Sequence, residues 1–336
     1  MIKYIFFLVT ILLFSGCATR IQVQSIKPAN VDLNNVKNVS VLDFKNDNKN
    51  LSGNIEHSLN NININGEKYF NVVDRKNISN ILNEQKLQSS GLVNDKTTVE
   101  IGNITGIQAL IVGEVSRPTR GVKNYKTSRK ECKKDKDGKK HCYQVIKYCT
   151  KVYSNINLYV KVLSTNDATV LFSKKYDNGY SNTSCGRNYN YRPDYASIER
   201  NSYNSAIDNF IYQITPHVYY RSIEVIEDLE EDYSDEAEKI LENSITYLER
   251  KRTDKAIQLT KKLIDLTNEK SFVPFYNLAI IYESKGKLSE ALRMINIADN
   301  LSVEPNKLID NSIYRIKKEI QNENNIKDTM NKKKGQ

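Results

Sequence analysis

Four cysteines, Cys132, Cys142, Cys149 and Cys185, constrain this chain more than any other feature, because its N-terminus addresses them to an oxidising compartment. That N-terminus carries Lys3, an apolar run from Ile5 to Phe14, and then Ser15-Gly16-Cys17-Ala18. The run is too short to span a bilayer as a helix, so residues 1–16 read as a secretory leader. Exported cysteines default to disulfides. Between Cys132 and Cys142, a three-residue loop, Lys136-Asp137-Gly138, with a left-handed Gly138 closing a bulge, sets the two cysteines directly opposite each other. Cys149 and Cys185 then form the second pair. A zinc site made of these cysteines and His141 is the alternative, but the ligands are not spaced as CxxC pairs.

Leu13-Phe14-Ser15-Gly16-Cys17 resembles the lipobox of bacterial lipoproteins, with Phe14 where the family usually has Leu. The resemblance implies that Cys17 becomes the mature N-terminus and carries several acyl chains, which hold far more firmly than one. A plain leader with Cys17 as an incidental thiol is the bland alternative. Ala18 is not Asp, which by the enterobacterial sorting rule implies delivery to the outer membrane, facing the periplasm.

The formal net charge is +10, and most of it is local. From Lys123 to Lys151 eleven lysines and arginines face only Glu131, Asp135 and Asp137. In an exported protein such a run points to anionic lipid or an acidic partner rather than to nucleic acid, and a merely solvated loop is the competing reading. No phosphate loop or nucleophile signature is present, and His57, His141 and His217 are scattered. The reading is no enzyme, no cofactor and no metal.

Residues 17–36 read as a lipidated tether. An α/β domain follows over residues 37–228. Val39 to Phe44 reads as a buried strand, Leu51, Ile55, Leu59 and Ile62 make a helical stripe, and Tyr69 to Asp74 reads as a second strand. Ile78, Ile81 and Leu82 mark another helix, residues 98–104 a third, and Ala109 to Val115 a third strand. The basic, cysteine-containing segment 117–151 is a hairpin insertion. Ile156, Leu158, Val160 and Val162 alternate with polar residues as a half-buried strand does, 170–176 is its partner, and Tyr203, Ile207, Phe210, Ile211 and Ile214 form a helical stripe ended by Pro216. A last strand over 218–226 precedes the acidic run Glu227 to Asp232.

Residues 233–322 hold two copies of a pattern that resembles the tetratricopeptide repeat. The clearer copy has Ala279, Tyr282, Gly286 and Ala291, and Ala256 lies 35 residues before Ala291 in the weaker one. Small residues at 279 and 291 suit crossing helices, Tyr282 fills the space between them, and a capping helix runs over about residues 307–320. The resemblance implies a small solenoid that binds a protein partner, through Asn277, Tyr282 and Lys285. The ordinary alternative is a helical bundle with no groove. Residues 323–336 read as a disordered tail.

Val39-Ser40-Val41-Leu42-Asp43-Phe44, Tyr69 to Arg75, Ile81 to Val93, Ile101 to Gly106 and Ala109 to Val115 together resemble the CsgG family of outer-membrane curli-secretion lipoproteins and its holdfast-attachment relatives. The fold class implied is α+β: a CsgG-like mixed sheet flanked by helices, followed by a small all-α tetratricopeptide-like solenoid. The family's known members are ring oligomers whose hairpins build a membrane barrel. Here the hairpin segments are lysine-rich or Tyr/Asn-rich and supply no clean lipid face.

Three readings follow. One is a non-enzymatic, homo-oligomeric scaffold or adaptor of a secretion or envelope-assembly system, bound to the membrane through its N-terminal lipid and to a protein partner through its repeats, with no nucleic acid. The alternatives are an outer-membrane secretion channel of the curli type and an activator lipoprotein of cell-wall synthases.

Overall fold

The computed structural model describes residues 19–33, 35–64, 66–74, 95–186 and 194–334. The leader, Cys17 and the expected helix at Ile78 to Leu82 lie outside the described residues. In chain order the elements are β1 (Arg20–Lys27), β2 (Asn38–Val41), α1 (Leu51–Asn60), β3 (Asn63–Ile64), β4 (Glu67–Lys68), β5 (Asn71–Val72), α2 (Asp95–Thr105), β6 (Ala109–Val115), β7 (Thr119–Lys134), β8 (Lys140–Ser164), β9 (Val170–Gly186) and α3 (Tyr195–Ile214). After them come β10 (His217–Glu224), α4 (Asp235–Glu249), α5 (Thr253–Leu266), α6 (Val273–Ser284), α7 (Leu288–Leu301) and α8 (Lys307–Lys334). Contacts divide the chain into two compact units, and neither is one continuous stretch.

The sheet unit takes residues 29–216 together with 329–336. Its central strand β2 runs parallel to both β5 and β6, and β6 runs antiparallel to β8. Strands β6 and β7 follow one another along one edge of β8, and β9 takes the other edge. Along β8 the residues Val152, Ile156, Leu158, Val160 and Val162 are fully or almost fully buried, and so are Ile198, Ala206, Phe210 and Ile214 of α3, the helix that packs on β8 and β9. The turn before α1 is a cap: the Asp47 carboxylate accepts the amides of Leu51 and Ser52, each at 2.8 Å. That cap fixes the start of the stripe Leu51, Ile55 and Leu59, all buried.

The helical unit takes residues 19–28 with 217–328. Here the expected tether is a strand instead. Strand β1 pairs antiparallel with β10, from Arg20 opposite Glu224 to Lys27 opposite His217. Val23 is fully buried in the same core as Tyr276, Ile280, Ile295 and Ile316, so burial rather than the polar composition of the segment decides its state. Helices α4 and α5 form one helical hairpin, and α6 and α7 form a second. Ala256, Ala279 and Ala291 are fully buried, and Gly286 takes a left-handed φ of 69° in the turn after α6. Helix α6 is buried on every side from Val273 to Glu283, with one core against Ile280 and another against Ile281.

The acidic run belongs to the helical unit. The Glu230 carboxylate accepts the Ser271 hydroxyl at 2.6 Å and the Phe272 amide at 2.9 Å, at the start of α6. The tail is helical as far as Lys334, because Ile326, Met330 and Lys333 follow at helical spacing and all three are buried.

Candidate interaction surface on a stapled arm

Strands β7, β8 and β9 run past the buried part of the sheet as an arm. The β7–β8 turn is the three-residue loop: the Asp135 amide donates to the Lys139 carbonyl at 3.0 Å, the Gly138 amide donates to the Asp135 carbonyl at 3.1 Å, and Gly138 takes φ 79°. The Asp135 carboxylate also accepts the Asp137 and Lys139 amides and meets His141 Nε2 at 2.8 Å. The His141 contact, then the amides, hold its carboxyl below the usual range.

That turn puts Cys132 opposite Cys142, and the two are disulfide-bonded with Cα atoms 4.0 Å apart. Cys149 is bonded to Cys185 across β8 and β9, with Cα atoms 4.1 Å apart. One bridge ties β7 to β8 and the other ties β8 to β9. Cys149 follows Cys142 by seven positions on β8, an odd offset, so the two bridges lie on opposite faces. All four cysteines are thereby taken up, and among the described residues no group of three His, Cys, Asp or Glu is placed to hold a metal.

Beyond Cys149 towards the tip no residue of β8 is buried. Val122, Tyr125, Tyr143, Ile146 and Tyr180 are exposed among lysines. Apart from Arg120 at its base, among the described residues the arm's ion pairs with acids are Lys147 to Glu131 at 3.9 Å, His141 to Asp135 and Lys175 to Asp177, all partly or fully exposed and weak. The arm therefore carries a positive potential that its own acids leave largely uncancelled. At its base Arg120 Nε donates to the buried Glu199 carboxylate of α3 at 2.5 Å and lies over the Tyr195 ring, which ties the root of β7 to the helix.

Across β8 a cleft of about 350 Å³ is lined by Lys123, Lys151, Tyr153, Asn155, Gly179, Tyr180 and Ser181. Sequence reading singled out the basic run but not this cleft, which needs β9 in register beside β8.

The repeat residues expected to meet a partner are otherwise engaged. Asn277 is 1% exposed, and its side chain accepts the Ile226 amide at 2.9 Å and donates to the Ile226 carbonyl at 2.8 Å. It grips the chain's own backbone, which is a correction to its reading as a partner contact. Tyr282 is buried, and Lys285 pairs with Asp254 at 2.7 Å. Cys17 lies outside the described residues.

Residues 22–125 match the family model described as curli production assembly/transport component CsgG. No curated protein is significantly similar to the chain in sequence. Among solved structures, lipoprotein GNA1162 from Neisseria meningitidis is 12% identical and covers 52% of this chain and 97% of its own, with a TM-score of 0.24. The hypothetical protein CT253 from Chlamydia trachomatis is 9% identical and covers 53% of this chain and 98% of its own, with a TM-score of 0.25.

Proposed function

We propose that the chain is a non-enzymatic, lipid-anchored scaffold of a CsgG-like secretion or envelope-assembly system, held at the outer membrane through Cys17 and associating into a homo-oligomer. The match of residues 22–125 to the curli assembly/transport family carries the reading. Among the described residues no helix is long and apolar enough to cross a membrane. Because Asn277 and Tyr282 are buried, binding of a protein partner falls to the exposed arm and the outer helix surfaces.

In envelope fractions of the producing cell, Cys17→Ser is expected to move the protein from the membrane to the soluble fraction. Retention in the membrane would overturn the anchor. Electron micrographs of detergent-extracted protein are expected to show closed rings, and a monomer at all concentrations would remove the oligomer.

A channel reading has one observation in its favour. Strands β7, β8 and β9 have 16, 25 and 17 residues, longer than the roughly 9–11 a membrane-crossing strand needs. Lysines stand on both faces of β7, with Lys126 and Lys130 on one and Lys123 and Lys133 on the other, and neither face suits lipid. Single-channel conductance in planar bilayers would decide for the channel.

A further inference from the structure

We propose that the cleft between Lys123 and Lys151 is an anion site that takes a phosphate-bearing ligand. These two lysines face each other directly across β7 and β8. Like charges in that relation are destabilising, and among the described residues neither has an acidic partner. Two exposed cations with no acidic partner among the described residues, on a frame held by two disulfides, are an electrostatic cost that a bound anion offsets.

The neighbours complete a donor set. Tyr153 and Asn155 follow Lys151 on the same face of β8, and Ser181 lies opposite Tyr153 on β9. Among the described residues the side chains of Asn155 and Ser181 are committed to no other hydrogen bond. An ammonium pair with a hydroxyl and an amide beside it matches the several acceptor oxygens of a phosphate group.

Two glycines keep the cleft open. A Cβ at Gly121 would collide with Cζ and the hydroxyl of Tyr153, so the phenol end of that ring lies over β7 at this point. A Cβ at Gly179 would likewise collide with the Asn155 amide, which lies across β9. With any larger residue at 121 the Tyr153 phenol must move, and the lining of the cleft moves with it.

The shared chemistry is a phosphate mono- or diester, which either a lipid headgroup or a soluble ligand could supply. The test uses the full chain in neutral detergent with its disulfides intact, at about physiological salt. Inorganic phosphate, glycerol 3-phosphate, and phosphatidylglycerol mixed into the micelles are titrated separately by calorimetry. Lys123→Met with Lys151→Met is expected to weaken binding at least about tenfold. Lys133→Met with Lys140→Met removes the same charge at the tip and is expected to change it less than about twofold. Gly121→Ala is expected to weaken binding with the charge untouched, and thermal melting checks that each variant is folded. Binding of phosphatidylglycerol alone supports the site and identifies a headgroup, whereas binding of the soluble probes supports it and identifies a soluble ligand. Equal weakening by both lysine pairs, or no binding of any probe, overturns it.

Discussion

Lys333 buries its amine within the sheet unit, with Nζ 3.6 Å from the centre of the Tyr69 ring and 4.2 Å from that of Phe70. Among the described residues that nitrogen has no hydrogen-bond partner. Burial, helped by nearby Lys37 and opposed by Asp32, lowers its pKa to about 7. The rings favour the cation by up to about 2 kcal/mol, which is less than the cost of burying it. Tyr69 is itself pushed up by burial and stays neutral in the same range. Because the folded pKa lies below that of an ordinary lysine, the unfolded chain binds the proton more tightly between about pH 7 and 10.5. Stability therefore rises with pH across that window, and the penalty is complete below it. The hydrogen-exchange protection factors of residues 329–334, taken relative to the base-catalysed intrinsic rate at each pH, are expected to increase from pH 6.5 to 9.5, and Lys333→Met should remove the dependence and stabilise the neutral-pH protein by at least about 1 kcal/mol. The Lys-rich tail reads as disordered because its charges outnumber its apolar residues. What orders it is a pair of aromatic rings some 260 positions away in sequence, which local composition does not reveal.

At the scale of elements, the arm was legible, whereas helix α8 was legible only in its first half. A Gly at the last position of a three-residue loop fixes the register of β7 on β8, so the turn alone sets Cys132 against Cys142 and Lys123 against Lys151. The second bridge fixes β9 in the same way. Removing either bridge by paired Cys→Ser changes is expected to cost roughly 2–4 kcal/mol in urea unfolding, with Cys149–Cys185 costing about 1 kcal/mol more because it closes the longer loop. Its sequence separation is 36 residues, against 10 for Cys132–Cys142. Helix α8 is held to α6 by a buried ion pair: Arg315 Nε and Nη2 donate to the two Glu283 oxygens at 2.6 and 2.8 Å, and Ser312 takes a further bond. Glu283→Gln leaves a buried guanidinium without its counter-charge and is expected to lower stability by about 3–5 kcal/mol, measured by thermal melting. Spacing within α6 predicts a helix, but not that its one acid would be buried 32 residues from its partner.

At the scale of the whole molecule, the helical unit is completed by residues from the far N-terminal side of the sheet unit. Ile21 and Val23 alternate with polar neighbours, a readable strand signal. It is broken by Ser25, which is buried because its hydroxyl donates to the Glu319 carboxylate. Val23→Asp places an unpaired charge in the core of Tyr276 and Ile295 and is expected to lower the melting temperature of the helical unit. A fragment starting at His217 is expected to melt below the same fragment supplied with residues 19–28; equal melting would show that β1 is dispensable. Sequence by itself determined the local features: alternating elements, the turn, the cysteine pairing, the helical hairpins and the charged arm. Each rests on residues within one turn or one hairpin, where geometry follows from spacing. Only the tertiary structure decided that a polar leader-proximal segment is a core strand, that Asn277 holds the chain's own Ile226, and that the tail docks on Tyr69 and Phe70. Those outcomes depend on burial against surfaces far away in sequence, and burial is a property of the folded whole.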